Sequence, residues 1–398
     1  MTRGVPDVIV GAEMPGPSVR IGRIAGIPVK VSASWLVVVA LFTWILGSSY
    51  FPEVVKGVSP AESYALGLAS VLLLFASILA HEFGHALVAR RRGIEVEEID
   101  LWLLGGVARM SGEAHDPDDE LRYALAGPAV TAAIGACFGI AALLLPPGTP
   151  AGVRALVEYQ AYVNAAILAL NLLPAFPLDG GRVLRALLWR RTGQLRTATE
   201  RAASIGRGFG YVMICLGGLA LLGGAPSGLW LALIGFFITV AARQEAMGAE
   251  VKAALSGIDT QDLMSTPVVS IPERCSLARA GTDYFMPYRF NAFPVVDDAG
   301  RALGLITLAQ LESKAPRDER AATVAQIADR DPQLTAAADE DVARLLERPA
   351  FARVGRAVVV DDAGKPIGML SITDVQRALR VARLASPAQD ERDHAAAR

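Results

Sequence analysis

Two histidines and a glutamate in the pentapeptide HEFGH could hold and use a metal ion. The sequence has four histidines, and two of them are His81 and His85. Residues four apart on a helix share a face and lie about 6 Å apart along its axis, so both imidazoles can reach one zinc ion. Glu82 lies between them and could activate a water molecule. The alternative for an isolated motif of this type is a surface helix end whose histidines cap or pair.

A zinc hydrolase also needs a third protein ligand and one open position. The best remaining carboxylate is Asp179, in the segment NLLPAFPLDGGR over residues 171–182. Two prolines precede it and break the helix, and Gly180 and Gly181 then let the chain turn tightly. A helix-end carboxylate in water is the alternative, and the presence of HEFGH makes that alternative weaker.

Long apolar runs place these motifs in a membrane domain. Of 398 residues, 53% are hydrophobic and 20% are charged, whereas soluble domains carry about a quarter charged residues. Ionisable groups inside a membrane cost roughly 2.5–3.5 kcal/mol each, so a span holding two histidines and a glutamate indicates a function. Six windows have the length of a transmembrane helix: about 31–50, 64–89, 121–145, 153–173, 205–222 and 229–242.

The distribution of arginine and lysine predicts the orientation of these spans. Basic residues cluster before span one, after span two and between spans four and five, whereas the opposite loops carry few. The positive-inside rule then predicts a multi-pass protein of the cell membrane with both termini in the cytosol. Residues 1–30 lack the apolar core of a signal peptide and are interpreted as a cytosolic tail. A net charge of −2 gives no reason to expect a nucleic-acid partner.

The segment between spans two and three, about 94–120, contains IDLWLLGGVARM. It is too short to span as a helix, and Gly105 and Gly106 interrupt it. A hairpin or edge strand at the membrane face fits this pattern, and a plain cytosolic loop is the alternative. An edge strand here could pair with an unwound substrate, which would make the two glycines substrate-binding residues.

Together, HEFGH and N-x-x-P-x-x-P-L-D-G-G resemble the site-2 protease family of intramembrane zinc metalloproteases. The similarity covers about residues 20–245 and includes AGP over residues 126–128. The resemblance implies that His81, His85 and Asp179 bind one zinc ion and that Glu82 is the general base. It also implies a substrate that is itself a transmembrane helix. Asn171 matches the motif asparagine, whose role is either substrate binding or capping of a broken helix.

An internal repeat marks the second part of the chain. VVDDAG over residues 295–300 recurs as residues 359–364, and each copy lies between two β-rich runs. The repeats resemble a tandem cystathionine-β-synthase (CBS) domain pair, which often binds adenosine nucleotides between its repeats. A dimerising or purely structural module, through which two chains could form a homodimer, is the alternative.

The two repeats differ at the position where such pairs bind a ribose. The resemblance implies nucleotide-binding roles for Thr307 in repeat one and for Ser371 and Asp374 in repeat two. Repeat one has Gln310 where repeat two has Asp374, and an amide is a weaker, neutral acceptor. The stronger half-site is therefore predicted to be the one with Asp374.

The predicted architecture is a six-helix membrane domain followed by a soluble α/β tandem CBS domain. The protein is predicted to be a zinc metalloendopeptidase that cuts a peptide bond within or near a transmembrane helix of a membrane protein, with the cytosolic CBS pair as a regulatory or dimerising module. The alternatives are a CBS-gated metal or proton transporter and an inactive membrane scaffold. His115 and His394 are expected to be loop residues, not ligands. The predicted boundaries are 1–30, 31–246, 258–314, 324–380 and a disordered tail at 386–398.

Overall fold

The computed structural model describes residues 18–102, 105–111, 114, 116–314 and 322–381. The chain divides into two compact units, one ending at Ala249 and the other beginning at Glu250. His115, His394 and the predicted tail at 386–398 lie outside the described residues. Residues 18–30 of the predicted N-terminal tail contribute to two strands.

The first unit is mainly helical. A π-helical turn at Leu46–Tyr50 joins its first two helices. The helices are α1 Ala33–Ile45, α2 Phe51–Val54, α3 Pro60–Arg91, α4 Pro117–Leu144, α5 Ala151–Asn171, α6 Asp179–Thr192, α7 Leu195–Leu222 and α8 Ser227–Leu255.

Five helical segments are long and apolar enough to cross a membrane: Ala33–Val54, Pro60–Arg91, Pro117–Leu144, Leu195–Leu222 and Ser227–Leu255. The fourth predicted span is present as the 21-residue α5, but it is not one of the five. Arg154, Glu158, Gln160 and Asn164 lower its hydropathy. The structure therefore supports a helical membrane domain with five candidate spans, and the predicted count of six is not confirmed.

Capping side chains fix where the central helices begin. Ser59 accepts a hydrogen bond from the backbone N–H of Glu62, and Pro60 is the first residue of α3. Asp116 accepts from the N–H groups of Asp118 and Asp119 at the start of α4. These side chains satisfy amides that a helix N-terminus otherwise leaves unpaired.

A four-stranded sheet packs against the helices. Its order is β1-β2-β3-β4, with β2 and β3 parallel and the other pairs antiparallel. Ile27 and Ile99 of the sheet pack on Ala86 of α3. The predicted hairpin is therefore present, with β4 as an edge strand, and the loop alternative is wrong. The strands are β1 Ser18–Ile24, β2 Ile27–Ser32, β3 Glu95–Trp102 and β4 Gly105–Ser111.

The second unit contains two three-stranded sheets with the same topology. In each sheet a parallel strand and an antiparallel strand flank a central strand, in the orders β5-β6-β7 and β8-β9-β10. The strands are β5 Ile271–Pro272, β6 Ala292–Val296, β7 Ala302–Thr307, β8 Thr335–Ala337, β9 Arg356–Val360 and β10 Pro366–Ser371. The internal repeat seen in the sequence is thus a structural repeat.

The duplicated VVDDAG segments form equivalent turns. Asp297 accepts hydrogen bonds from the N–H groups of Ala299 and Arg301, and Asp361 accepts from Ala363 and Lys365 in the same way. The helices of this unit are short: α9 Thr260–Leu263, α10 Leu277–Arg279, α11 Met286–Tyr288, α12 Leu308–Lys314, α13 Val342–Leu346, α14 Pro349–Val354 and a final helix from 372 that is described to 381.

Candidate metal centre and candidate nucleotide cleft

One turn of α3 places the two histidines of HEFGH side by side. His81 and His85 are buried, with 6% and 3% of their surface exposed. Their Nε2 atoms lie 3.2 Å apart. The helical spacing that the sequence predicts therefore brings both imidazoles to one point.

Asp179 reaches the same point from the start of α6. Its Oδ2 lies 3.1 Å from Nε2 of His81, and its Oδ1 lies 3.2 Å from Nε2 of His85. Gly180 and Gly181 pack so tightly on the preceding loop that a Cβ at either position would overlap its backbone. Glycine is therefore required for the turn that delivers the carboxylate.

Two residues of α4 fix the orientation of the imidazoles. Nδ1 of His85 lies 2.8 Å from the carbonyl oxygen of Tyr123, and Nδ1 of His81 lies 2.9 Å from Oγ1 of Thr131. A carbonyl only accepts, so His85 must carry its proton on Nδ1. In the tautomer with this proton, Nε2 carries the lone pair that faces Asp179, which is the form that binds a metal.

The arrangement fits a zinc ion on three independent observations. The donor atoms of His81, His85 and Asp179 all lie within 4.8 Å of one another. The buried Oδ2 of Asp179 accepts no hydrogen bond from the described residues. A Cβ at Gly127 of α4 would overlap both Nε2 atoms, so glycine keeps the space beside them open. Two histidines and one carboxylate are a common ligand set of catalytic zinc.

Strand β4 lies directly over Glu82. A Cβ at Gly106 would come 2.5 Å from Cγ of Glu82. The backbone of Ala108, on the same strand, lies beside the Glu82 carboxylate. Gly106 of the predicted glycine pair is therefore next to the predicted general base and permits the close approach, whereas a Cβ at Gly105 would meet no atom within 4 Å.

Charged side chains attach α6 to its neighbours around this centre. Arg185 forms ion pairs with Glu120 of α4 and with Glu245 of α8, the latter at 2.9 Å. The guanidinium of Arg182 lies over the ring of Tyr123, 5.3 Å from its centroid. These contacts hold the helix that carries Asp179 against the helix that orients His85.

The structure does not bring Asn171 into this group. It is the half-buried last residue of α5. Among the described residues, its side chain is not one of the hydrogen-bond or ion-pair partners of the three candidate ligands. Sequence reasoning missed Tyr123, Thr131 and the space left by Gly127. The only signal for Gly127 was its place in the AGP segment, and Tyr123 contributes a backbone atom that no motif specifies.

In the second unit, Ser371 and Asp374 line a cavity of about 300 Å³ between the two repeats. Oδ2 of Asp374 accepts from Ser371, and its Oδ1 accepts from Oγ of Ser265 at 3.2 Å. Arg356 and Phe290 also line the cavity. Gln310 accepts from Thr307 in the same local pattern in repeat one, but Thr307 does not line this cavity.

Comparisons with known proteins agree with both units. Peptidase family M50 matches residues 69–150 and 148–216, and the CBS domain family matches residues 261–313 and 324–381. Rip3, a proposed zinc metalloprotease of Mycobacterium tuberculosis, is 39% identical over 374 residues, which cover 93% of this chain and 95% of Rip3. Zinc metalloprotease MJ0392 of Methanocaldococcus jannaschii is 29% identical, covering 94% and 99% of the two chains.

A solved structure, the site-2 protease from Methanocaldococcus jannaschii, is 30% identical with a TM-score of 0.38, covering 58% of this chain and 95% of that chain. The extent of the match to Rip3 establishes the family. The chain belongs to peptidase family M50, the site-2 proteases, and carries a CBS domain pair. It is a membrane metalloprotease, and nothing in these comparisons favours a transporter or an inactive scaffold.

Proposed function

We propose that His81, His85 and Asp179 hold one zinc ion and that the enzyme cuts a peptide bond within or near a transmembrane helix of its substrate. The convergence of three donor groups, two buried and one half-buried, all within 4.8 Å, carries this proposal. The two histidines lie on α3, a helix long and apolar enough to cross the membrane. A site at this position meets substrates that are themselves in the lipid bilayer.

The residues around the site have separate chemical roles. A zinc ion bound there supplies Lewis acidity toward the reacting oxygen atoms. The Glu82 carboxylate accepts a proton from the attacking water and passes it to the leaving amine, so a C–O bond forms as the C–N bond breaks. Tyr123 and Thr131 hold the imidazoles in the metal-binding tautomer.

Cleavage of a synthetic transmembrane peptide by the purified full-length protein tests this function. We expect a zinc chelator to stop cleavage and added zinc to restore it. The reason is that the two imidazoles and the carboxylate are Lewis bases, so the Lewis acid of the reaction has to be the bound ion. The products are identified by mass spectrometry. Cleavage that continues at full rate in excess chelator would refute the zinc mechanism.

We propose that the substrate, once unwound, pairs with the edge of β4 beside Gly105 and Gly106, and, on the motif resemblance alone, that Asn171 binds the substrate backbone. The support is that β4 is an edge strand lying over Glu82. In the same assay, a peptide N-methylated at alternate backbone nitrogens should be cut at least about tenfold more slowly, because edge pairing needs its N–H groups. Equal rates would contradict this placement.

We propose six membrane crossings, with both termini on the cytosolic side of the cell membrane. The 21 residues of α5 are long enough to span about 30 Å, and α5 packs against α3 and α4. Its polar residues Gln160 and Asn164 are fully buried within the unit, so they do not face lipid.

Reporter fusions check this topology. A reporter at residue 56 or 225 should be extracytosolic, and one at residue 195 or 398 should be cytosolic, because basic residues are retained on the cytosolic side. The measurement is enzymatic activity of a reporter that works on one side only. A cytosolic signal at 225 would mean that α7 and α8 do not form a membrane hairpin.

We propose that the CBS pair binds an adenosine nucleotide in the cavity beside Asp374 and thereby regulates proteolysis. The carboxylate is an acceptor for ribose hydroxyls, and Phe290 offers an apolar surface for a base. Burial lowers the pKa of Arg356, and the nearby Asp374 opposes this shift. A partly buried cation of this kind would be stabilised by a ligand phosphate.

Calorimetric titration of the full-length protein with ATP, ADP and AMP tests this site. Replacing Asp374 with alanine should weaken binding roughly ten- to a hundredfold, because a hydrogen bond to a charged group contributes about 1.5–3 kcal/mol. Gln310→Ala is the matched control in repeat one and should change binding little. If none of the three binds the wild type at millimolar concentration, the pair is a dimerisation module, which analytical ultracentrifugation would detect.

A further inference from the structure

Three polar side chains meet where α3 and α5 pack together. Ser70 of α3 and Gln160 and Asn164 of α5 are all completely buried. Nε2 of Gln160 donates a hydrogen bond to the carbonyl oxygen of Ser70 at 2.9 Å. Nδ2 of Asn164 donates to the carbonyl oxygen of Gln160 at 2.8 Å. The first bond links α5 to α3, and the second lies within α5; together they engage one amide donor each of Gln160 and Asn164.

Three oxygen atoms of this cluster have no hydrogen-bond partner among the described residues. They are Oγ of Ser70, Oε1 of Gln160 and Oδ1 of Asn164. Buried polar atoms in proteins are almost always paired with protein groups or with ordered water. Two amide oxygens and one hydroxyl, on residues that these two bonds bring together, could therefore accept a small molecule that donates hydrogen bonds.

The chemistry of the cluster favours water over a cation. The three side chains are neutral, whereas calcium and magnesium sites in proteins include carboxylates. The neighbouring helix is close, because a Cβ at Gly135 of α4 would come 3.4 Å from Cβ of Asn164. Water is small, can donate to both amide oxygens and can accept from the serine hydroxyl.

We propose that Ser70, Gln160 and Asn164 form a resident water-binding site inside the membrane unit. It lies on the same face of α3 as His81, about 16 Å away along the helix axis. Asn164 faces Gly135, which is one turn along α4 from Thr131, the partner of His81. The water site and the candidate metal centre therefore share two helices, α3 and α4, as neighbours.

A structure of the full-length protein in nanodiscs, at a resolution that shows ordered water, tests the proposal. In the wild type we expect a density peak within about 3.2 Å of at least two of the three oxygen atoms. The double variant Gln160→Met/Asn164→Leu should lose the peak. Ser77→Ala is the matched control and should keep it, because within the described residues the Ser77 hydroxyl donates to the carbonyl of Leu73 on its own helix and to no atom of this cluster.

Two results would overturn the proposal. One is a wild-type map with no peak at these atoms. The other concerns the thermal unfolding midpoint of the wild type. If sodium chloride raises this midpoint and choline chloride does not, and if the rise is absent in Ser70→Ala, the site binds a cation. If the double variant does not fold, Ser70→Ala and Asn164→Leu singly give the same comparison of maps. The outcome does not depend on whether zinc binds or a peptide is cut.

Discussion

Replacing Glu82 with glutamine is expected to lower the rate of peptide cleavage by about 10²–10⁴-fold, the usual contribution of a general base. The amide keeps the size of the side chain and the space under Gly106, but it cannot accept a proton from water. The measurement is the initial rate of transmembrane-peptide cleavage by the purified variant, together with its zinc content by elemental analysis.

The same variant should keep its full zinc content, because Glu82 is not one of the three converging ligands. Glu62→Gln is the matched control, since Glu62 lies on the same helix, is exposed and belongs to its first turn. That control should retain the wild-type rate. Turnover of the Glu82→Gln variant at the wild-type rate would remove Glu82 from the mechanism.

Replacing Gly127 with alanine should abolish zinc binding, and cleavage with it. The added methyl group would overlap the Nε2 atoms of both His81 and His85, at the place where an ion has to sit. Backbone atoms of a helix move little, so the imidazoles must turn away or the ion is excluded. The measurement is the zinc content per chain after dialysis. We expect it to be as low as in Asp179→Ala, a variant that lacks one of the three proposed ligands.

Gly139→Ala on the same helix is the control, because a Cβ there would meet no atom within 4 Å. It should bind zinc as the wild type does. Circular dichroism of both variants shows whether the helices are retained. Full zinc occupancy in a folded Gly127→Ala protein would mean that the ion does not lie between the two histidines and Asp179.

The chemistry of the candidate site follows from the sequence to a large extent. The i, i+4 spacing of His81 and His85 fixes their common face as soon as the segment is helical, because this geometry is local. The two prolines and two glycines around Asp179 predict a broken helix and a tight turn, and both are present. The repeat of VVDDAG predicts two equivalent strand pairs, which the second unit contains.

The partners of these residues follow only from the tertiary structure. Tyr123 orients His85 through a carbonyl oxygen, which every residue type has, so its identity carries no signal. Whether α5 counts as a membrane span also depends on the tertiary structure, because its polar residues Gln160 and Asn164 are buried within the unit. Hydropathy measures each residue alone and cannot detect such burial.

Local spacing thus determined which side chains could act together, and packing determined how they are held. Sequence motifs named His81, Glu82, His85 and Asp179, whose relations depend on one helical turn and one loop. Thr131 and Gly127 of α4 meet them across about fifty residues of chain, and Gly106 meets Glu82 from a sheet edge. Contacts of this kind form only when distant segments pack at a fixed distance, and no periodicity within a single segment encodes that distance.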